Sequence, residues 1–229
     1  QPDNVGTLTV ADGATVGTSG GNALNITADD LNLNTSGKLD SGAAATKITV
    51  SDGGSIGLGN GATVVGMRIS GAELQNITAT GLTIGGTNST IFVDGVTAAN
   101  SNNISGTLTL DATNDNAVIQ FTTATSTFNA LSAKADDGIT VNADITTDTG
   151  NLALEGDADN AADTSDAIKF NAGRTLTSAG SITLDATTGK LSGAGALDLL
   201  AKDGITINDS LTAAGILTIN ADTDQPDNV

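Results

Sequence analysis

The side chains in this chain best equipped for chemistry are carboxylates. Glu155, Asp157, Asp159, Asp163 and Asp166 fall within twelve positions, and Asp222, Asp224 and Asp227 form a second, looser group. Hard cations want several oxygen ligands, and alternate acids bring two carboxylates to one side of a loop. Asp157, Asp159, Asp163, Asp222 and Asp224 are therefore the candidate Ca²⁺ ligands. The run lacks the sixth-position Gly and terminal Glu of an EF-hand loop, and it lacks the Gly-Gly-x-Gly-x-Asp nonapeptide of calcium-binding secreted toxins. A solvated acidic corner that keeps an exposed protein soluble explains the same residues with fewer assumptions.

Paired acids also suggest glycan cleavage, which needs two carboxyl groups across a glycosidic bond, and Asp136/Asp137 or Asp29/Asp30 would be the nominees. Sugar sites usually add aromatic platforms and His or basic partners, but the chain has no Trp, Tyr or His. With no His and no Cys there is no Ser-His-Asp or Cys-His catalysis, no imidazole or thiolate metal site and no disulfide. The expectation is a protein that is not an enzyme, with no catalytic or cofactor-binding residues beyond the possible Ca²⁺. The 26 acidic against 8 basic residues, a net charge of −18, argue against binding to nucleic acid. No apolar window is long enough to cross a bilayer, so membrane insertion is not expected.

The elements that must position these acids are short. Leu8-Thr9-Val10, Ile48-Thr49-Val50, Leu82-Thr83-Ile84, Leu108-Thr109-Leu110, Ile139-Thr140-Val141, Ile182-Thr183-Leu184, Ile205-Thr206-Ile207 and Leu217-Thr218-Ile219 alternate apolar and polar. Period two means strand, with aliphatics on one face and Thr on the other. Asp-Gly, Gly-Gly and Asn/Ser clusters separate them, as turns require. The Thr residues suggest a hydroxyl array of the ice-binding kind, but a second Thr row is present only at Thr7/Thr9 and Thr107/Thr109. Ordinary cross-strand stacking is the expectation.

The strands recur. Leu8-Thr9-Val10-Ala11-Asp12-Gly13 returns at Ile48-Thr49-Val50-Ser51-Asp52-Gly53, an offset of 40, and again near Ile168, an offset of 160. Asp137-Gly138-Ile139-Thr140-Val141 returns as Asp203-Gly204-Ile205-Thr206-Ile207, an offset of 66. Gln1-Pro2-Asp3-Asn4-Val5 reappears as Gln225-Pro226-Asp227-Asn228-Val229. Residues 1–224 are read as one period, with 225–229 opening the next copy.

Strands too short to bury a face alone must stack. With only 2% aromatic residues, the core is expected to be thin and aliphatic. The expected fold is all-β, a parallel β-solenoid of ten or eleven coils with about 20–22 residues per coil and no independent domains. Residues 58–106 follow the pattern least well and would be the place for a protruding loop or groove.

The segment Leu8-Thr9-Val10-Ala11-Asp12-Gly13-Ala14-Thr15-Val16 and the run from Gly180-Ser181-Ile182-Thr183-Leu184 to Asn220-Ala221-Asp222 resemble repeats of secreted bacterial exoproteins of the filamentous haemagglutinin type. The resemblance implies a right-handed parallel β-helix outside the cell, part of a long adhesin or fibre. The functional expectation is a structural repeat of a secreted acidic stalk at the bacterial cell surface, giving reach or cell and matrix cohesion. The alternative is a face that binds a glycan or a protein. Expected partners are further copies of the chain, in tandem or end to end, and cell-surface glycans or matrix.

Overall fold

Alternating apolar and β-branched residues leave each strand one dry face, and that face is buried by stacking strand on strand rather than by folding a sheet over. The structure, a computed structural model, describes residues 6–63 and 66–224. It is all-β apart from two short helices, Gly71–Gln75 and Ala98–Ser101. All named strand pairings are parallel, and they build long sheets compatible with a parallel β-solenoid. The chain visits three ladders in turn. The first holds eight strands, Leu24–Ala28, Ala45–Val50, Gly81–Gly85, Thr107–Ala112, Ala130–Ala135, Leu152–Glu155, Ile182–Asp185 and Ile205–Ile207. The second also holds eight, from Gly66–Ile69 to Leu211–Ala213, and the third holds five, from Ser126–Phe128 to Leu217–Asn220. Two smaller sheets, Thr7–Thr9 with Asp30–Asn32 and Thr15–Gly17 with Lys38–Asp40 and Ile77–Thr78, continue the stack at its N-terminal end.

Inward side chains lie directly over one another. In the first ladder Ile26, Ile48, Ile84, Leu110, Ala133, Leu154 and Leu184 are in register, and in the second Ile56, Ile91, Ile119, Ile139, Ile168 and Leu191 are. All are buried in one continuous core. The core is not wholly aliphatic, because Phe121, Phe128 and Phe170 are among its largest fully buried side chains. Phe121 and Phe170 sit either side of Val141, and Phe170 faces Gly193 above, so small residues make room for the rings.

The register departs from an even spacing of 20–22. Aligned residues in the first ladder advance by 22 (Leu24 to Thr46), 36 (Ala45 to Gly81), 26 (Leu82 to Leu108), 23 (Leu108 to Leu131), 21 (Leu131 to Leu152), 30 (Leu152 to Ile182) and 23 (Ile182 to Ile205). The sequence spacing predicts ten or eleven coils, and this ladder has eight strands among the described residues. The longest interval contains an extra strand. Ser55–Leu58 pairs with Thr90–Val93 on one side and with Gly66–Ile69 on the other, so the chain doubles back to place 66–69 beneath the strand it has just made. The Arg68 amide then donates to Asp30 Oδ1 (2.9 Å), joining that strand to the turn below.

The described residues between 58 and 106 therefore stay within the stack, but they use different elements. Ser70 caps the first helix, its hydroxyl accepting from the Glu73 amide while the Glu73 carboxylate accepts from the Ser70 amide. The second helix packs against the first. The Ser101 hydroxyl donates to the Thr127 carbonyl (3.2 Å), which ties the helical turns to the third ladder.

The repeated motifs do not mark equivalent places. Ile139-Thr140-Val141 lies in the second ladder, Ile205-Thr206-Ile207 in the first and Leu217-Thr218-Ile219 in the third. The Thr residues are split accordingly. In the first ladder Thr83 stands beside Lys47 and Thr109, and Ser132 and Ala153 interrupt the row before Thr183. The five-residue repeat at 1–5 and 225–229 lies outside the described residues.

Candidate acidic corner between the first and second ladders

Where the chain leaves the first ladder for the second, backbone amides lose their ladder partners and must be satisfied in another way. Carboxylates do this. Asp29 accepts from the Gly6 amide one turn below (2.7 Å), Asp136 Oδ2 from Asn116 (2.8 Å), Asp137 Oδ1 from Ser165 (2.7 Å), Asp157 Oδ2 from Thr188 (2.6 Å) and Asp209 Oδ2 from Ala186 (2.6 Å). Each partner is 20 to 31 residues away, one turn up or down. The next corner repeats the device: Asp94 accepts from Ala124 (2.7 Å), and Asp144 accepts from Thr175 (3.0 Å) while pairing with the Arg174 guanidinium (3.3 Å). A charged acceptor makes a stronger hydrogen bond than a neutral one, so a short polar side chain can clip two turns together at the point where the sheet is interrupted.

Three successive turns bring acids together at one height of this corner. Asp115 follows the strand Thr107–Ala112, Asp136 follows Ala130–Ala135, and Asp163 lies in the long connection from Leu152–Glu155 to Ile168–Phe170. Carboxylate oxygens of Asp115, Asp136 and Asp163 lie within 4.8 Å of one another, with Asp136 buried and the other two exposed. Burial pushes the Asp136 carboxyl above its usual range, against the Asn116 amide that lowers it, and Asp159, Asp115 and Asp137 add repulsion. Asp163 is raised too, by partial loss of solvent and then by Asp159, Asp136, Asp166 and Asp115.

The five residues chosen from sequence are thus divided. Asp163 joins the cluster, and Asp159 lies close enough to perturb both Asp136 and Asp163. Asp157 is buried and committed to the Thr188 amide, and its Oδ1 has no hydrogen-bond partner among the described residues. Asp222 and Asp224 are not at an equivalent corner. They follow the third-ladder strand Leu217–Asn220, whereas 156–166 follows a first-ladder strand. The offset of 66 that suggested equivalence moves the motif from one ladder to another.

Asp115 and Asp136 were absent from the sequence-derived metal set. Asp115 stands alone among Asn and Thr neighbours, and only knowledge of which corner it occupies would have paired it with Asp136, 21 residues later. Three convergent carboxylates supply part of the six to eight oxygens that Ca²⁺ takes, and they are costly together when no cation is present. A shallow groove beside them is lined by Asp163, Ser165, Asp166, Lys169 and Lys190. The acids nominated for glycan cleavage, Asp136/Asp137 and Asp29/Asp30, all receive backbone amides from a neighbouring turn.

No family model, no curated protein and no solved structure matches the chain.

Proposed function

We propose that the chain is a segment of a right-handed parallel β-solenoid that serves as a structural stalk or fibre outside the bacterial cell, giving reach and cohesion. The observation that carries this reading is the use made of the polar residues. Most buried acids clip one turn to the next by accepting a backbone amide, and the core beneath is a stack of aliphatics in register. Chemistry spent on joining turns makes a rod. Eight strands in one ladder, at about 4.8 Å each, make a body roughly 35 Å long. Continuous ladders resist shear along the axis, and tandem copies would multiply weak surface contacts into avidity.

Cell-surface display tests the proposal. Bacteria displaying one, two or four copies behind a common tip should hold that tip at distances that grow in proportion to copy number, read by fluorescence quenching from the membrane. Saturable binding of a single copy to one class of glycan or to one protein, with reach independent of copy number, would replace the stalk by a binding module.

A further inference from the structure

The two ends of the stack are unlike its middle. The last turn, Ile205–Ile207, Leu211–Ala213 and Leu217–Asn220, forms the outer edge of all three ladders. Its inward side chains point along the same columns as the core, yet Ile205, Ile207, Leu211 and Ala213 are only partly buried. Leu217 is 38% exposed, Ile219 49% and the neighbouring Ile216 76%, among the few large apolar residues exposed at all. At the other end Thr7–Thr9 and Thr15–Gly17 are edge strands, with Leu8 half-buried and Val16 38% exposed. Among the described residues both ends are thus parallel edges with no further strand against them and an apolar cross-section, the kind of surface that associates when nothing covers it.

We infer that the partner of the last turn is the first turn of a second copy of this chain, docked head to tail so that the ladders continue across the junction. Three observations select this occupant, and the inference rests on the solenoid reading above. Every pairing is parallel, so the N-terminal edge of one copy meets the C-terminal edge of another with the strand direction the ladder already has. The sequence repeats residues 1–5 at 225–229, a period of 224. On that period, in which 225–229 of one copy and 1–5 of the next are equivalent and only one of the two can fill the shared place, Leu8 of the next copy falls 21 residues after Leu211, and Val16 falls 21 after Ile219. The regular turns advance by similar steps: 20 from Leu191 to Leu211, 20 from Leu197 to Leu217, 21 from Leu131 to Leu152 and 23 from Leu8 to Leu31. Leu8 would close the second-ladder column over Leu211, and Val16 the third over Ile219. A contact between two different surfaces that stacks copies along one common axis has no rotation that closes a ring, so it extends into a filament.

Sedimentation velocity on the 229-residue chain tests this, with two variants. Leu217→Lys/Ile219→Lys places charge on the C-terminal edge, and Val16→Lys places it on the N-terminal edge. The unaltered chain should form a concentration-dependent ladder of oligomers, promoted by salt because each copy carries −18. Each variant alone should sediment as a monomer, and a mixture of the two should stop at a dimer, since only one open edge of each kind remains. A folded chain that stays monomeric up to about 1 mM overturns the docking. So do oligomers that persist in either variant alone, because a symmetric contact needs only one kind of edge. Circular dichroism of all three proteins separates the outcomes. Loss of the β signal in the unaltered chain would refute the solenoid reading itself, whereas an intact signal with no association refutes only the docking.

Discussion

Asp137-Gly138-Ile139-Thr140-Val141 and Asp203-Gly204-Ile205-Thr206-Ile207 are nearly the same pentapeptide in two settings. Ile139 is 1% exposed, held between Ile119 below and Ile168 above, while Ile205 has Ile182 on one side and no described strand on the other. Gly138 and Gly204 share a positive φ, 103° and 106°. A Cβ at Gly138 would stand 3.0 Å from the Ala167 carbonyl of the next turn, but one at Gly204 would meet nothing within 4 Å. Burial in this fold is a property of neighbouring turns and not of the motif, so stability should rise from the last turn inward.

The largest effect should come from placing a charge in each column. Ile139→Asp should lower stability by more than about 4 kcal/mol, since an unpaired carboxylate enters a dry core. Ile205→Asp should cost roughly half as much in dilute solution, because Ile205 is only partly buried and no described strand lies above it. Equal shifts in urea midpoint would mean that the last turn is as well covered as the middle.

Alanine at the two glycines sharpens the contrast. Gly138→Ala and Gly204→Ala should each cost about 1–2 kcal/mol for a side chain at positive φ, and Gly138→Ala should add to that because the Ala167 carbonyl must move. A thermal melt in which Gly204→Ala is the more damaging would reverse the gradient.

A smaller effect lies one residue upstream of the interior copy. The Asp136 carboxyl is raised in the folded protein by burial and by its acidic neighbours. The folded state therefore holds its proton to higher pH than the unfolded state does. The stability linked to that proton is fully present below the unfolded value and is lost as pH rises through the folded one. Asp136→Asn can still accept from Asn116 and carries no charge, so in chelator at neutral pH it should melt above the unaltered protein, with the gap closing toward pH 3. If added Ca²⁺ raises the melting point of the unaltered protein and not of Asp136→Asn, the corner holds a cation. If it raises neither, Asp136 is a clip alone.

The smallest expected change is at the outward threonines. Thr140→Ser and Thr206→Ser should each shift stability by about 0.5 kcal/mol or less, as surface substitutions do. A marked loss at Thr140 alone would show that the outer face of the second ladder is itself covered.

Strand existence was legible because Ile139-Thr140-Val141 and its counterparts carry a period of two, and the turn residues between them are chemically distinct. The phase of the coil was not. Any ladder accepts an apolar–polar–apolar tripeptide, so the motif identifies a strand without identifying its sheet, and offsets of 40 and 66 joined strands that never align. The doubling back at Gly66–Ile69 left no local mark either, since Gly66-Met67-Arg68-Ile69 reads as one more short strand. The acidic corner was half legible for the same reason. Asp157, Asp159 and Asp163 stand together in sequence, but Asp115 and Asp136 reach Asp163 only through stacking.

The uneven steps of the first ladder, from 21 to 36 residues, leave its register undisturbed. The ends of every connection are fixed by the strands they join, and lengthening a loop between fixed ends costs only logarithmically in chain entropy. The corner at 156–166 has already absorbed several extra residues in this way. It is therefore a natural graft point: a foreign epitope or enzyme-cleavable peptide inserted after the exposed Asn160 would be carried outside the stacked sheets at a set height, without any change to the columns within.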